Sequence, residues 1–293
     1  MRRFARIAAP ALALGLVLAA CSSDDESTTE DTTAVTEETT ATGDTTVTED
    51  TAAAGDAVDV AALGLIKEGA LTVCTDAPYP PFEFQDEATE EWTGFDMDLM
   101  RAIATNIGDL GLEVTVQPFD GIWLAPKAKT CDIVASAMTI TEERAANALF
   151  TDPYFDADQS LLVRTEDAAT ITSLEALAGK KLAVQTGTTG ETYANDNAKD
   201  VTIQSFDEPA AMFLALEGGQ VDAILQDLPV NAERALKGED TKLTATFPTG
   251  EQYGFAVAQD NTALADAVNG ALAAVKEAGE YDSIYGKYFA AKG

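Results

Sequence analysis

The chain has 293 residues, 50 of them acidic and 18 basic, with no histidine and a formal charge of −32 at pH 7. Such a balance argues against nucleic acid or anionic lipid as a partner, because like charges repel a polyanion. The missing histidine removes Ser-His-Asp and Cys-His nucleophile systems and most zinc, copper and non-haem iron sites, so neither a metal nor a cofactor is expected.

The chain opens MRRFARIAAPALALGLVLAAC. Arg2, Arg3 and Arg6 precede an apolar run too short to span a bilayer comfortably, and small residues follow, which is the pattern of an export signal over 1–20. Leu18-Ala19-Ala20-Cys21 resembles a bacterial lipobox, in which the cysteine is diacylated and becomes the new N-terminus; an ordinary secretory signal is the alternative. Residues 22–59 are almost entirely Ser, Thr, Asp, Glu, Ala and Gly, without an aromatic residue, Lys or Arg. A segment of that composition cannot bury enough apolar surface to offset its ordering entropy. Residues 21–59 are therefore expected to form a disordered, acidic Ser/Thr tether, spanning on the order of 35 Å as a flexible coil. Beyond the signal and tether, 38 acidic residues face 15 basic ones, a net charge near −23. That surplus serves solubility and weakly favours a cationic or zwitterionic ligand.

From residue 60 onward, strand-like and helix-like runs alternate. LTVCT (71–75) leads to a helix at 96–107, then LEVTVQP (112–118), a helical stretch near Trp123, and the short strand CDIVA before SAMTITEER (136–144). AANALF (145–150) reads as helix, with Thr139 or Thr141 as N-cap and Glu142 or Glu143 in the first turn. After FTDPYF the pattern restarts with KLAVQ (181–185), a helix from about 189, VTIQSF (201–206), a helix at 209–217, VDAILQ (221–226) and a helix from about 227. An extended run at 253–258 and helices at 262–278 and 283–289 complete the chain. The alternation implies α/β architecture, with parallel sheets covered by helices on both faces. The restart near 160 and the late extended run near 253 imply two lobes joined by two crossings: 60–159, 160–252, and a return to the first lobe over 253–293. Cys74 and Cys131 form an even pair in an exported domain, open to a disulfide or to two buried free thiols.

Open parallel sheets bind ligands beyond the carboxyl ends of their strands, which places the site in the cleft between the lobes. LTVCT ends in Asp76, then Tyr79, Phe82 and Phe84 in a proline-rich turn; Phe84 reads as core and Tyr79 as facing the cleft. Asp96 and Asp98 read as first-turn dipole partners and caps, and a lone Asp-x-Asp lacks the rest of a calcium loop. QTGTTGE (185–191) joins a strand to a helix and offers free N–H groups to an anion, although capping alone also accounts for Thr188 or Thr189. Asp227, directly after a strand and before Pro229, is a routine N-cap and equally a carboxylate within reach of a ligand's ammonium. Arg144 falls where a helix dipole disfavours a cation. Ser136, Thr139 and Arg144 on one lobe, helix-end amides on the other, and Asp227 with the opposite charge together complement an amino acid. The guanidinium forks the α-carboxylate and the carboxylate holds the α-ammonium.

At this point the chain resembles the solute-binding proteins of polar amino acid ABC transporters over 60–293. The stretches that carry the resemblance are LTVCTDAPYPPFEF, GFDMDLMRAIA, FDGIW, CDIVASAMTITEERA, FTDPYF, LAGKKLAVQTGTTGE, GGQVDAILQDLPV, YGFAVA and EYDSIYGKYF, loose singly and specific in this order. The resemblance implies a type II periplasmic-binding-protein fold, with the ligand cleft between lobes joined by a two-strand hinge. It implies aromatic contacts from Tyr79 and Phe119, and carboxylate contacts from Ser136, Thr139, Arg144 and Thr189, with Thr188 as a further candidate. Asp227 would hold the ammonium, while Asp76 would meet a cationic or amide side chain. Gln185 and Ala137 complete the expected ligand-binding set. Ala137 stands where a serine or glycine is common in the family, and Gly190 where some relatives carry a larger polar residue.

The function implied is that of a lipid-anchored, monomeric receptor on the extracytoplasmic face of the cell membrane. It would bind a basic or amide L-amino acid, arginine, lysine or glutamine ahead of glutamate, and deliver it to a membrane permease. Two rivals share the scaffold: a cyclohexadienyl-dehydratase-like enzyme using Glu83 or Asp76 for proton transfer, and a sensory ligand-binding subunit. No acid/base pair presents itself in the sequence, and the chain is not expected to be an enzyme.

Overall fold

A computed structural model describes residues 58–290. The expected export signal, Cys21 and all but the last two positions of the acidic tether lie outside the described residues. Among the described residues no helix is long and apolar enough to cross a membrane.

The first sheet starts with β1 (Ala70–Thr75), buried at every position. A turn and the small ribbon β2 (Phe84–Gln85) and β3 (Trp92–Thr93) lead into α1 (Phe95–Gly108). Gly94 caps α1 at φ +114°, and a Cβ there would lie 2.1 Å from the Phe82 carbonyl oxygen, so the ribbon and helix close up only over glycine. Strands β4 (Gly111–Val116) and β5 (Ile133–Val134) follow, both parallel to β1. After the single turn α2 (Glu142–Ala145) comes β6 (Ala148–Phe150).

The second sheet is built from β7 (Phe155–Arg164), β8 (Lys181–Gln185), α3 (Thr189–Asn197), β9 (Thr202–Phe206), α4 (Pro209–Glu217), β10 (Ala223–Asp227), α5 (Leu228–Lys237) and β11 (Thr241–Tyr253). The chain then returns to the first sheet with β12 (Ala256–Ala258) and covers it with α6 (Thr262–Glu277) and α7 (Glu280–Phe289). Sheet orders are β4-β1-β5-β12-β6 and β11-β7-β10-β8-β9.

Both sheets are mixed rather than purely parallel. The strands next to the crossings run antiparallel to their neighbours: β12 to β5 and β6, and β7 to β10 and β11. The crossings lie side by side, with Phe155 paired to Tyr253 and the Tyr154 N–H donating to the Tyr253 carbonyl at 2.9 Å. This pair of strands is the hinge. Around it Phe82 packs against Phe155 and Tyr253 with ring centres 5.1 and 5.4 Å away, and Phe289 of α7 joins them. β7 runs unbroken through the expected 159/160 boundary, and the second sheet therefore takes up the chain at Phe155.

Several local expectations are corrected. AANALF is not a helix: α2 ends at Ala145, and Ala148–Phe150 pairs with β12 as an edge strand. Its alanines and Leu149 favour helix, but pairing to the returning chain overrides a weak propensity. The dipole argument against Arg144 lapses with it, because a one-turn helix has little field. The helical stretch near Trp123 is one 3-10 turn, Ile122–Leu124. The run at 253–258 is broken at 254–255 into the end of β11 and β12, and the last helix begins at Glu280 rather than 283. Phe84 is half-buried, with Phe82 filling the core instead. Asp96 is no cap: its Oδ2 accepts from the Ala137 N–H at 2.8 Å and the Tyr154 hydroxyl at 2.7 Å. Cys74 and Cys131 are joined as a disulfide, Cα to Cα 5.7 Å, tying β1 to the approach of β5.

Candidate binding site between the two sheets

The carboxyl ends of β1, β5, β8 and β10 converge on one cavity of about 390 Å³, counting the space at its mouth. All eleven residues singled out in the sequence line it: Asp76, Tyr79, Phe119, Ser136, Ala137, Thr139, Arg144, Gln185, Thr188, Thr189 and Asp227. Glu83 and Gln226 complete the lining.

Arg144 is 4% exposed and dominates one wall. Its guanidinium lies 5.1 Å from the ring centres of both Phe119 and Trp123, a stacking that suits its planar, weakly hydrated cation. One nitrogen donates to the Thr139 carbonyl at 2.7 Å and another to the Gly187 carbonyl at 3.0 Å, across the cleft. Burial pulls its pKa below the usual arginine value. Among the described residues Arg144 forms no ion pair. A buried cation held by carbonyls and rings retains its affinity for an anion.

Asp227 ends β10 and makes no capping bond to α5. Its Oδ1 accepts from Gln159 Nε2 at 2.6 Å, and its Oδ2 accepts from the Tyr253 hydroxyl. Burial raises its pKa to about 7, with the neighbouring Glu251 charge adding to the shift. Asp76 accepts from Gln185 Nε2 at 2.5 Å and is held at about 6, chiefly by burial. Against these two carboxyls stands one guanidinium.

Hydroxyl roles divide in a way the sequence leaves open. Thr141, not Thr139, caps α2, which frees the Thr139 hydroxyl. Thr188 caps α3, accepting from the Glu191 N–H at 3.1 Å while donating to the Gln185 carbonyl at 2.7 Å. Thr189 next to it makes no cap and donates its hydroxyl to Glu251 at 2.6 Å. The Ser136 hydroxyl is engaged on both sides, accepting from the Asp76 N–H at 2.9 Å and donating to Glu83 at 3.1 Å. Ala137 sits at φ +42°, a left-handed conformation held by the Asp96 bond to its N–H. At Gly190 a Cβ would lie 2.9 Å from Gln159 Oε1, which explains the absence of a larger residue: the room is taken by the amide that positions Asp227.

Sequence reasoning missed Gln159, Trp123, Glu251 and Tyr253. Gln159 is fully buried in mid-strand, on a face of β7 whose other members are Phe155, Ala157, Leu161 and Val163, and a polar residue there is the one signal available. Glu251 follows a Pro-Thr-Gly irregularity within β11 and carries no periodic signal. Burial and the charge of Asp96 hold Glu83 well above the carboxylate range, while Asp96 is raised to about 7 by its own burial. This pair sits behind Ser136 and Ala137 as a brace.

Comparisons with known proteins show what the chain is similar to. A family model described as bacterial extracellular solute-binding proteins, family 3, matches residues 71–291. The chain is 35% identical over 239 residues to a putative ABC transporter arginine-binding protein 2 of Escherichia coli K12, covering 78% of this chain and 96% of that one. It is 36% identical over 231 residues to a probable histidine-binding protein of Neisseria gonorrhoeae, covering 75% and 83%. An ancestral arginine-binding protein bound to arginine superposes with a TM-score of 0.71 at 39% identity, over 75% of this chain and 98% of that one.

Proposed function

The chain belongs to the bacterial extracellular solute-binding proteins of family 3, and from that premise we propose that its cleft binds a basic or amide L-amino acid for an ABC importer. The observation that carries the reading is Arg144, a buried guanidinium without an ion-pair partner among the described residues, lining the same cavity as Asp227. Arg144 and the Thr139 and Thr189 hydroxyls take the α-carboxylate, and Asp227 takes the α-ammonium. Asp76, with Gln185 beside it, meets the side chain, and its carboxylate favours a guanidinium, an ammonium or an amide over an acid. The relatives above are named as arginine- and histidine-binding proteins, two amino acids with nitrogen-bearing side chains, and the ancestral protein's structure holds arginine. Contacts from both lobes make closure and binding one equilibrium.

The same proposal places the protein at the membrane. Cys21, freed by removal of 1–20, carries the lipid; the acidic segment 21–59 is the tether; and a monomer presents its closed form to the permease. Mass spectrometry showing diacylglycerol on Cys21, and release of a Cys21→Ala variant from membranes, tests the anchor. Titration calorimetry of the full chain against the common amino acids tests the binding: the reading expects heat with arginine, lysine or glutamine and little with glutamate, and it fails if none of these binds.

A further inference from the structure

Glu251 belongs to β11, on the hinge side of the cleft, yet its carboxylate points into the carboxylate-binding corner. Its Oε2 accepts from the Thr139 hydroxyl at 2.7 Å and from the Thr189 hydroxyl at 2.6 Å, while Oε1 accepts from Gln159 Nε2 at 3.1 Å. Thr139 comes from the first lobe and Thr189 from the second, so a single oxygen bridges the two. The local chain is shaped for this. Phe247 pairs with Gln159 and Glu251 with Ala157, so four steps along β11 match two along β7, and the extra residues bulge out through Gly250 at φ +66°. Asp158 Oδ1 holds the bulge by accepting from the Thr249 and Gly250 N–H groups at 3.1 and 3.3 Å. A bulge re-aims the side chain that follows it.

Each threonine hydroxyl has one proton to donate. If Thr139 and Thr189 give theirs to a ligand's α-carboxylate, Glu251 must release them, and the two carboxylates would repel in that corner. The outer groove, lined by Pro248, Thr249 and Gly250 beside Glu251, gives the side chain somewhere to go.

We propose that Glu251 is an internal surrogate for the ligand's carboxylate: it latches the lobes together when no ligand is bound and must be displaced for ligand to enter. This rests on the reading that Thr139 and Thr189 hold the ligand's carboxylate. A latched population is incompetent to bind, and it weakens apparent affinity by the fraction of molecules it holds.

The test compares Glu251→Ala and Glu251→Gln with the parent, as full chains, by hydrogen exchange without ligand and by calorimetric titration with L-arginine. Loss of the latch predicts faster amide exchange over 186–192 in ligand-free Glu251→Ala, and a Kd for L-arginine tighter by about threefold or more. Glu251→Gln, neutral but still able to accept, falls between. Unchanged exchange, or a weaker Kd in Glu251→Ala, overturns the proposal, and a weaker Kd marks Glu251 as a ligand contact instead. If the parent fails to bind L-arginine or any other amino acid, the functional reading falls, while the exchange measurement still decides whether Glu251 latches the lobes.

Discussion

The side-chain amide of Gln185, at the end of β8, donates to the Asp76 carboxylate at the end of β1, with Nε2 to Oδ2 at 2.5 Å. One bond thus joins the two sheets at the spot where the ligand's side chain is expected. Replacing Asp76 by Asn keeps the polar contact and removes the charge. Asp76→Asn is expected to weaken arginine and lysine by roughly 1–3 kcal/mol, since a charged hydrogen bond is lost, while glutamine changes little. Calorimetric titration with the three amino acids reads the difference.

Arg144 carries the opposite end. Arg144→Ala is expected to cost about 2–5 kcal/mol of binding, because the ligand carboxylate would stay buried without its partner. Arg144→Lys is not expected to rescue it: an ammonium cannot lie flat between Phe119 and Trp123 or present a fork to a carboxylate. Unchanged affinity in either variant removes Arg144 from the site.

Buried carboxyls give the protein a pH signature of definite sign. Burial raises the folded-state pKa of Asp76 to about 6, and those of Asp96 and Asp227 to about 7, from an ordinary value of 3.8. Between pH 4 and 7 the folded chain therefore holds protons the unfolded chain has lost, and these groups make stability fall as pH rises through that window. Ligand-free Tm is expected to rise on going from pH 7 to pH 5, with Asp227→Asn flattening the profile. Binding runs the other way: an ammonium needs Asp227 ionised, and affinity for arginine is expected to rise from pH 5 to pH 8. Thermal melts and titrations across pH check both slopes.

The Cys74–Cys131 disulfide closes a loop with a sequence separation of 57. By loop-closure entropy a loop of that size stabilises by about 4 kcal/mol. Reduction, or the paired change of both cysteines to serine, is expected to lower Tm clearly while leaving arginine affinity within about twofold, because neither sulfur lines the cavity. Equal Tm with and without reductant contradicts this.

How far the residues reveal the fold depends on where each element gets its stability. Strands β1, β8 and β10 are buried throughout or nearly so, and short apolar runs before helices announced them. Asp76, Gln185 and Asp227 at or just past their ends were legible for the same reason. Ala148–Phe150 was not, since an edge strand held only by its partner leaves a three-residue trace. Nor was Glu251, whose direction is set by a bulge that depends on the register of β7. Thr188 and Thr189 were indistinguishable as neighbours until the cap assigned one of them. Ser136 shows the limit from the other side: its place in the cavity lining was legible, but its hydroxyl donates to Glu83 and only tertiary packing could say so.

The most direct test of the account uses ligands cut at one end. The full chain is titrated with L-arginine, with arginine amide, which lacks the carboxylate, and with Nα-acetylarginine, which lacks the ammonium. If Arg144 and Asp227 grip the two ends, L-arginine binds and each trimmed compound is weaker by at least about 2 kcal/mol. Equal binding of L-arginine and either trimmed form would contradict the account.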